Sequence, residues 1–150
     1  MPIEGQNFYP GERATATELV LLAAEYRRSA ELLLANGRSG APLSWAPYRL
    51  VAIHAIELYL NAFLIAGGHS QASVRALQHN TASRAQLATV ANLRLRKRTV
   101  AHLTSLSENR EYLVARYDPS PVSKSQLNRL HATLTEVAIK VAALVQASSK

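Results

Sequence analysis

From Leu50 to Ala66 the chain is almost continuously apolar, interrupted chiefly by His54, Glu57 and Asn61. Val51, Ile53, Ala55, Ile56, Leu58, Tyr59, Leu60, Phe63 and Leu64 occupy nearly the whole circumference of a helix. A helix apolar on most sides belongs at the centre of a bundle, because no face is left to give to water. The three polar interruptions make it read as a buried helix rather than a membrane span. It begins between Ser44 and Tyr48, and Gly67-Gly68 stop it.

The rest of the chain supplies neighbours for this helix. A first helix is predicted from about Ala14 to Asn36, capped by Thr15 or Thr17 and ended by Gly37. Its apolar face is Leu19, Leu22, Ala23, Tyr26, Ala30, Leu33 and Leu34. Residues 1–11 read as irregular, and residues 37–47 as a loop. Ser70 opens a short helix to about Leu77, His79-Asn80-Thr81 bends the chain, and a further piece runs from Ser83 to Asn92. Leu95 to Ala115 reads as another long helical region with a break near Ser107 to Asn109. Tyr117-Asp118-Pro119-Ser120-Pro121 is a turn, since each proline restricts the residue before it. Ser123 or Ser125 caps a last helix on which Leu127, Leu130, Leu134, Val137, Ile139, Val141, Leu144 and Val145 are expected to pack inward. No segment alternates with period two. The expected fold is all-α, one domain over residues 1–150, with four or five main helices in an up-down bundle.

Charge is unevenly distributed. The formal net charge is +7, yet residues 58–107 contain no Asp or Glu at all. That stretch holds Arg75, Arg84 and the run Arg94, Arg96, Lys97, Arg98, with His69, His79 and His102. Four cations within five residues make a surface that attracts phosphate backbones, so Arg94, Arg96, Lys97 and Arg98 are the candidate nucleic-acid contacts. No aromatic residue lies between Phe63 and Tyr112, so a base-stacking platform is not expected beside them.

His54, Glu57 and Asn61 are spaced by three and four residues and share one side of the central helix. A carboxylate there needs a cationic partner, because burial of a lone charge is costly. Arg110 and Arg116 are the expected partners, giving a buried polar network of His54, Glu57, Asn61, Arg110 and Arg116.

The absent motifs exclude several chemistries. Without cysteine there is no disulfide scaffold, thiolate nucleophile or cysteine-ligated metal. No His-Glu-x-x-His or Glu-x-x-His motif occurs, so neither a metal site nor a cofactor is expected. Asp118 is the only aspartate, which argues against two-metal phosphoryl transfer. There is no glycine-rich phosphate loop and no serine-hydrolase elbow. A metal-free cleavage of RNA needs a histidine to move protons and an arginine to stabilise the phosphate. His102 with Arg96 or Arg98 supplies those residue types. The opening residues lack a basic segment followed by an apolar one, so a cytoplasmic, non-membrane protein is expected.

Three elements carry a family resemblance. Ala52 to Gly68, with its Ile56-Glu57-Leu58-Tyr59 core, resembles a central helix of the HEPN-like superfamily. Leu77-Gln78-His79-Asn80 is similar to the Leu-x-x-His-Asp/Asn element that follows it, and Glu108 to Tyr117 to the Asn-Arg-Tyr segment before the last helix. The resemblance implies an all-helical, often dimeric domain. It also implies a role in RNA processing or defence, in some families as a ribonuclease toxin paired with a nucleotidyltransferase-like antitoxin. Active members share an Arg-x4–6-His motif, which Arg96 to His102 matches in spacing, with Lys97 where those members carry Asn, Asp or His. The departure favours RNA or protein binding without cleavage. Metal-independent endoribonuclease activity and a purely structural bundle are the alternatives.

Overall fold

In the computed structural model, which describes residues 8–120 and 124–148, the chain is entirely helical apart from turns and an isolated bridge. It comprises α1 (Ala16–Ala35), a single 3-10 turn (Pro42–Trp45), α2 (Ala46–Ala66), α3 (Gln71–Ala76), α4 (Thr81–Val90), α5 (Lys97–Glu108), α6 (Glu111–Tyr117) and α7 (Leu127–Ser148). The expectation of four or five helices in an up-down bundle is therefore corrected: seven α-helices build the fold among the described residues. Two breaks in the middle of the chain raise the number. After α3 the backbone turns left-handed at Gln78 (φ 52°), and between α5 and α6 it does so at Arg110 (φ 49°). The second lies at the break expected near Ser107 to Asn109, with α5 ending at Glu108 and α6 starting at Glu111.

Local chemistry sets most helix ends. Thr15 accepts from the Glu18 amide while Glu18 accepts from the Thr15 amide, a reciprocal capping box. Ser70 caps α3, and Asn80 caps α4 by accepting from the Ser83 amide, so the helix opens at Thr81, two residues before the expected Ser83. At the end of α2, Gly68 (φ 101°) lets the His69 amide reach the Leu64 carbonyl and its own amide reach Ile65, satisfying two orphan carbonyls. Gly37 is required for a different reason: a Cβ there would lie 1.7 Å from the Trp45 indole nitrogen. Of the expected caps for the last helix, Ser123 lies outside the described residues, and the Ser125 hydroxyl donates to Glu111 instead. Residues 1–7 of the segment read as irregular also lie outside them.

α2 runs through the middle, packed by α1, α7, α6 and α4, while α5 closes the far side against α4 and α7. Ala52, Ile53, Ala55, Ile56, Leu60, Ala62 and Leu64 are all buried. By length and composition the segment from Pro42 through α2, and α7 likewise, are apolar enough to cross a membrane, but 56% of the apolar window in the first is buried within the protein. Fully burying a large aliphatic side chain contributes about 1.5–3 kcal/mol, so this helix anchors the core.

Candidate functional site

Two polar regions stand out, one at the start of α5 and one around Glu57. Arg94, Arg96, Lys97 and Arg98 are all exposed. Among the described residues no acidic side chain pairs with theirs. The backbone beneath them is pinned by α7. Glu136 accepts from the Arg96 amide at 2.7 Å and from the Thr99 hydroxyl, and it pairs with Lys140 at 2.8 Å. Lys140 in turn donates to the Arg94 carbonyl at 2.5 Å. Burial pushes the Glu136 carboxyl up, but the hydrogen bonds from Lys140, Thr99 and Arg96 outweigh it and hold the carboxyl below its ordinary value.

One and a half turns further along α5, His102 is only 5% exposed. Its Nδ1 lies 2.7 Å from the Thr133 hydroxyl of α7, and its Nε2 has no partner. Burial, reinforced by the nearby Arg129 charge, lowers its pKa from 6.5 to about 4, so the ring is neutral at physiological pH. A cleft of about 550 Å³ reaches it between α5 and α7, lined by Arg98, Ser105, Gln126, Asn128 and Arg129. Arg129 Nε is likewise buried without a partner. The structure thus sets Arg98 and Arg129 beside His102. Arg96 is not part of that lining, because it precedes the helix and its amide faces Glu136. Arg129 and Thr133 went unnoticed in the sequence. Their signal was the polar series Arg129, Thr133, Glu136 and Lys140, spaced by three and four along α7.

Around Glu57 the partners differ from those expected. Its Oε2 accepts from His79 Nδ1 at 3.1 Å, and its Oε1 lies 3.5 Å from Arg84 Nη2. Arg84 is fully buried and donates through Nε to the side-chain Oδ1 of Asn61 at 2.7 Å and through Nη1 to the backbone carbonyl of Asn80 at 3.3 Å. Burial lowers its pKa, and Glu57 opposes that shift. Arg110 and Arg116 are exposed, and neither is the ion-pair partner of Glu57. Arg116 is close enough to act on His54, whose pKa is lowered by burial first, raised by Glu57, and lowered again by Arg116 and His79. The His54 ring packs edge-on against Tyr26 at 4.7 Å. The correct cation was hidden because Arg84 sits in the acid-free stretch and counted with the solvent-facing bases.

Among the described residues no group of three or more His, Cys, Asp or Glu side chains is placed to hold a metal ion. Comparison with protein-family models, curated proteins and solved structures finds no match to this chain.

Proposed function

We propose that this chain is a HEPN-like helical domain that binds RNA through the start of α5, without cutting it. The observation that carries the reading is the quartet Arg94, Arg96, Lys97 and Arg98, exposed, unpaired, and held on a backbone fixed by Glu136. Cations without internal partners are free to replace the counterions of a phosphate backbone. The cleft holding Arg98, Arg129 and His102 continues this basic surface. The family part of the reading rests on the order of the three sequence elements. The second and third of them, at His79 and Tyr112, stack on each other in the fold at 4.7 Å. In the same reading the domain is a cytoplasmic homodimer, and α1 presents exposed Leu21, Leu22 and Leu32 for such an interface.

The test is the salt dependence of binding to a mixed RNA pool. Four neutralised phosphates on single strands give a log–log slope of roughly −3. Replacing all four cations by Gln is expected to weaken binding irrespective of sequence and flatten that slope. Equal binding by wild type and variant overturns the reading.

One observation favours a second reading, metal-independent endoribonuclease activity. His102 Nε2 is unpartnered at a cleft carrying two arginines. In the tautomer in which Nδ1 donates to Thr133, Nε2 can take the proton of a ribose 2′-hydroxyl as it attacks the adjacent phosphate and the 5′-oxygen leaves, while Arg98 and Arg129 stabilise the developing charge. In this reading a nucleotidyltransferase-like antitoxin is the expected partner. Cleavage that survives EDTA, leaves 2′,3′-cyclic phosphates and falls about 10²-fold or more in His102→Ala would establish it.

A further inference from the structure

Two sequence elements that RNA binding at α5 does not use converge on one place. The turn after α3 brings Gln78, His79 and Asn80, and the junction of α5 and α6 brings Ser107, Arg110 and Tyr112. Together with Ser83 they line a polar cleft of about 410 Å³ on the side of α4. Both junctions hold a residue other than glycine in the left-handed region, Gln78 and Arg110. Such backbone costs of order 1–3 kcal/mol and persists where the surroundings enforce it.

His79 is the fixed point of this cleft. An ionised carboxylate can only accept, so the contact with Glu57 Oε2 at 3.1 Å places a proton on His79 Nδ1. The ring is also stacked on Tyr112, and Glu57 is in turn held by Arg84. Orientation and tautomer are therefore both set, leaving Nε2 for the partly open side, where the side chain is 44% exposed. The neutral ring offers a lone pair at Nε2, and the protonated ring offers a donor. Arg110 lines the same cleft, and no acidic side chain does among the described residues. A cation that cannot lose its charge, a histidine with one free nitrogen and the Ser83 hydroxyl together make an acid-free receptor with three donors, beside a Ser107 hydroxyl already committed to Asn80 Oδ1 and Thr81.

We propose that this cleft binds a phosphate-type oxyanion, with Arg110 and His79 Nε2 as its two grips. A dihydrogen or monohydrogen phosphate group suits both states of the histidine, since it can donate to a neutral Nε2 or accept from a protonated one. The groups facing His79 are Glu57 on α2, Tyr112 on α6, Arg110 at the α5–α6 junction, and, acting from further off, His54 on α2. The cleft adjoins a larger one of about 670 Å³ at Gln78 and His79, whose lining joins apolar Leu19, Leu22, Leu58 and Val74 to the charged Glu12, Glu57, Arg75 and Arg84. A phosphomonoester with an apolar or aromatic body fits this pair of clefts better than phosphate alone.

The test follows the His79 ring by NMR while inorganic phosphate, a nucleoside monophosphate and a short RNA are each titrated into the full chain. The expected result is a saturable shift of the His79 resonances with phosphate at millimolar concentrations, and tighter binding of the monophosphate. Arg110→Asn, which keeps a residue tolerant of the left-handed backbone, is expected to weaken both by roughly tenfold or more. Arg98→Gln is expected to leave both unchanged while weakening RNA, which separates this cleft from the α5 surface. No saturable His79 shift with phosphate or monophosphate, or binding unchanged in Arg110→Asn, overturns the proposal. So does a shift produced by RNA alone.

Discussion

Glu57 in the middle of α2 and His79 in the turn after α3 meet through a 3.1 Å contact between Oε2 and Nδ1, where the central helix turns its one carboxylate toward its neighbours. The same carboxylate compensates Arg84, which is completely buried. One side chain thus closes a chain of contacts from α2 to the α3–α4 turn and into α4.

Removing that carboxylate leaves Arg84 charged and enclosed. Glu57→Ala is expected to cost about 3–5 kcal/mol, the scale for breaking a buried pair from one side. Glu57→Gln retains the shape but not the charge and should lose less. Urea denaturation measures both; a loss below about 1 kcal/mol in the alanine variant would mean that solvent or Asn61 already compensates Arg84.

How much of this was legible in the sequence depends on distance along the chain. Features decided within four residues were readable: the Thr15 cap, the Ser70 cap, the glycine stop after Ala66, the apolar girdle of α2 and the shared face of His54, Glu57 and Asn61. The need for a cation opposite Glu57 was also readable, because desolvation demands it. Which arginine answers was not, since that choice depends on how the α3–α4 turn folds back and no local pattern encodes it. Arg84 was grouped with the basic surface for that reason. His102 is a different case: its residue type and neighbours suggest proton transfer, while its packing under α7 against Thr133 depends on a contact thirty-one residues away that no local pattern encodes.

Glu111 shows a burial that periodicity alone could not assign. It is 1% exposed at the start of α6 and takes both the amide and the hydroxyl of Ser125, the latter at 2.8 Å. Arg49 of α2 donates to the Ser125 carbonyl at 2.5 Å and feels the Glu111 charge. Glu111→Ala is expected to destabilise the fold by roughly 3 kcal/mol, from lost charged hydrogen bonds and an uncompensated Arg49. Hydrogen exchange should show faster exchange first at Ser125 and the start of α7. Unchanged protection there would contradict the assignment.

Glu136 acts as a cap supplied from another helix. It satisfies the Arg96 amide and the Thr99 hydroxyl at the entrance of α5, so Glu136→Ala is expected to cost about 1–2 kcal/mol and to fray the first turn. That turn carries Lys97 and Arg98. RNA affinity should therefore fall even though the net charge becomes more positive. An affinity that rises instead would show that electrostatics outweighs the placement of the cations.

His102 gives the fold a pH dependence with a definite sign. Its native pKa is about 4, against 6.5 for the ordinary group, because burial and then Arg129 disfavour the charged ring. Between those values the unfolded chain binds a proton that the native protein refuses. Stability is therefore complete above about pH 6.5, declines as pH falls, and by about pH 4 has lost up to roughly 3 kcal/mol from this group. His54, whose pKa is lowered in the same direction, adds to the decline, so the His102 share has to be isolated by difference. In His102→Asn, a side chain that never titrates replaces the ring near Thr133. Urea unfolding of wild type and variant from about pH 7 to about pH 4 measures the share directly. The wild type should lose more stability on acidification than the variant, with the gap opening below about pH 6.5. Parallel curves would mean that His102 is accessible to protons in the native fold. The same result would remove the neutral ring on which the cleavage reading depends.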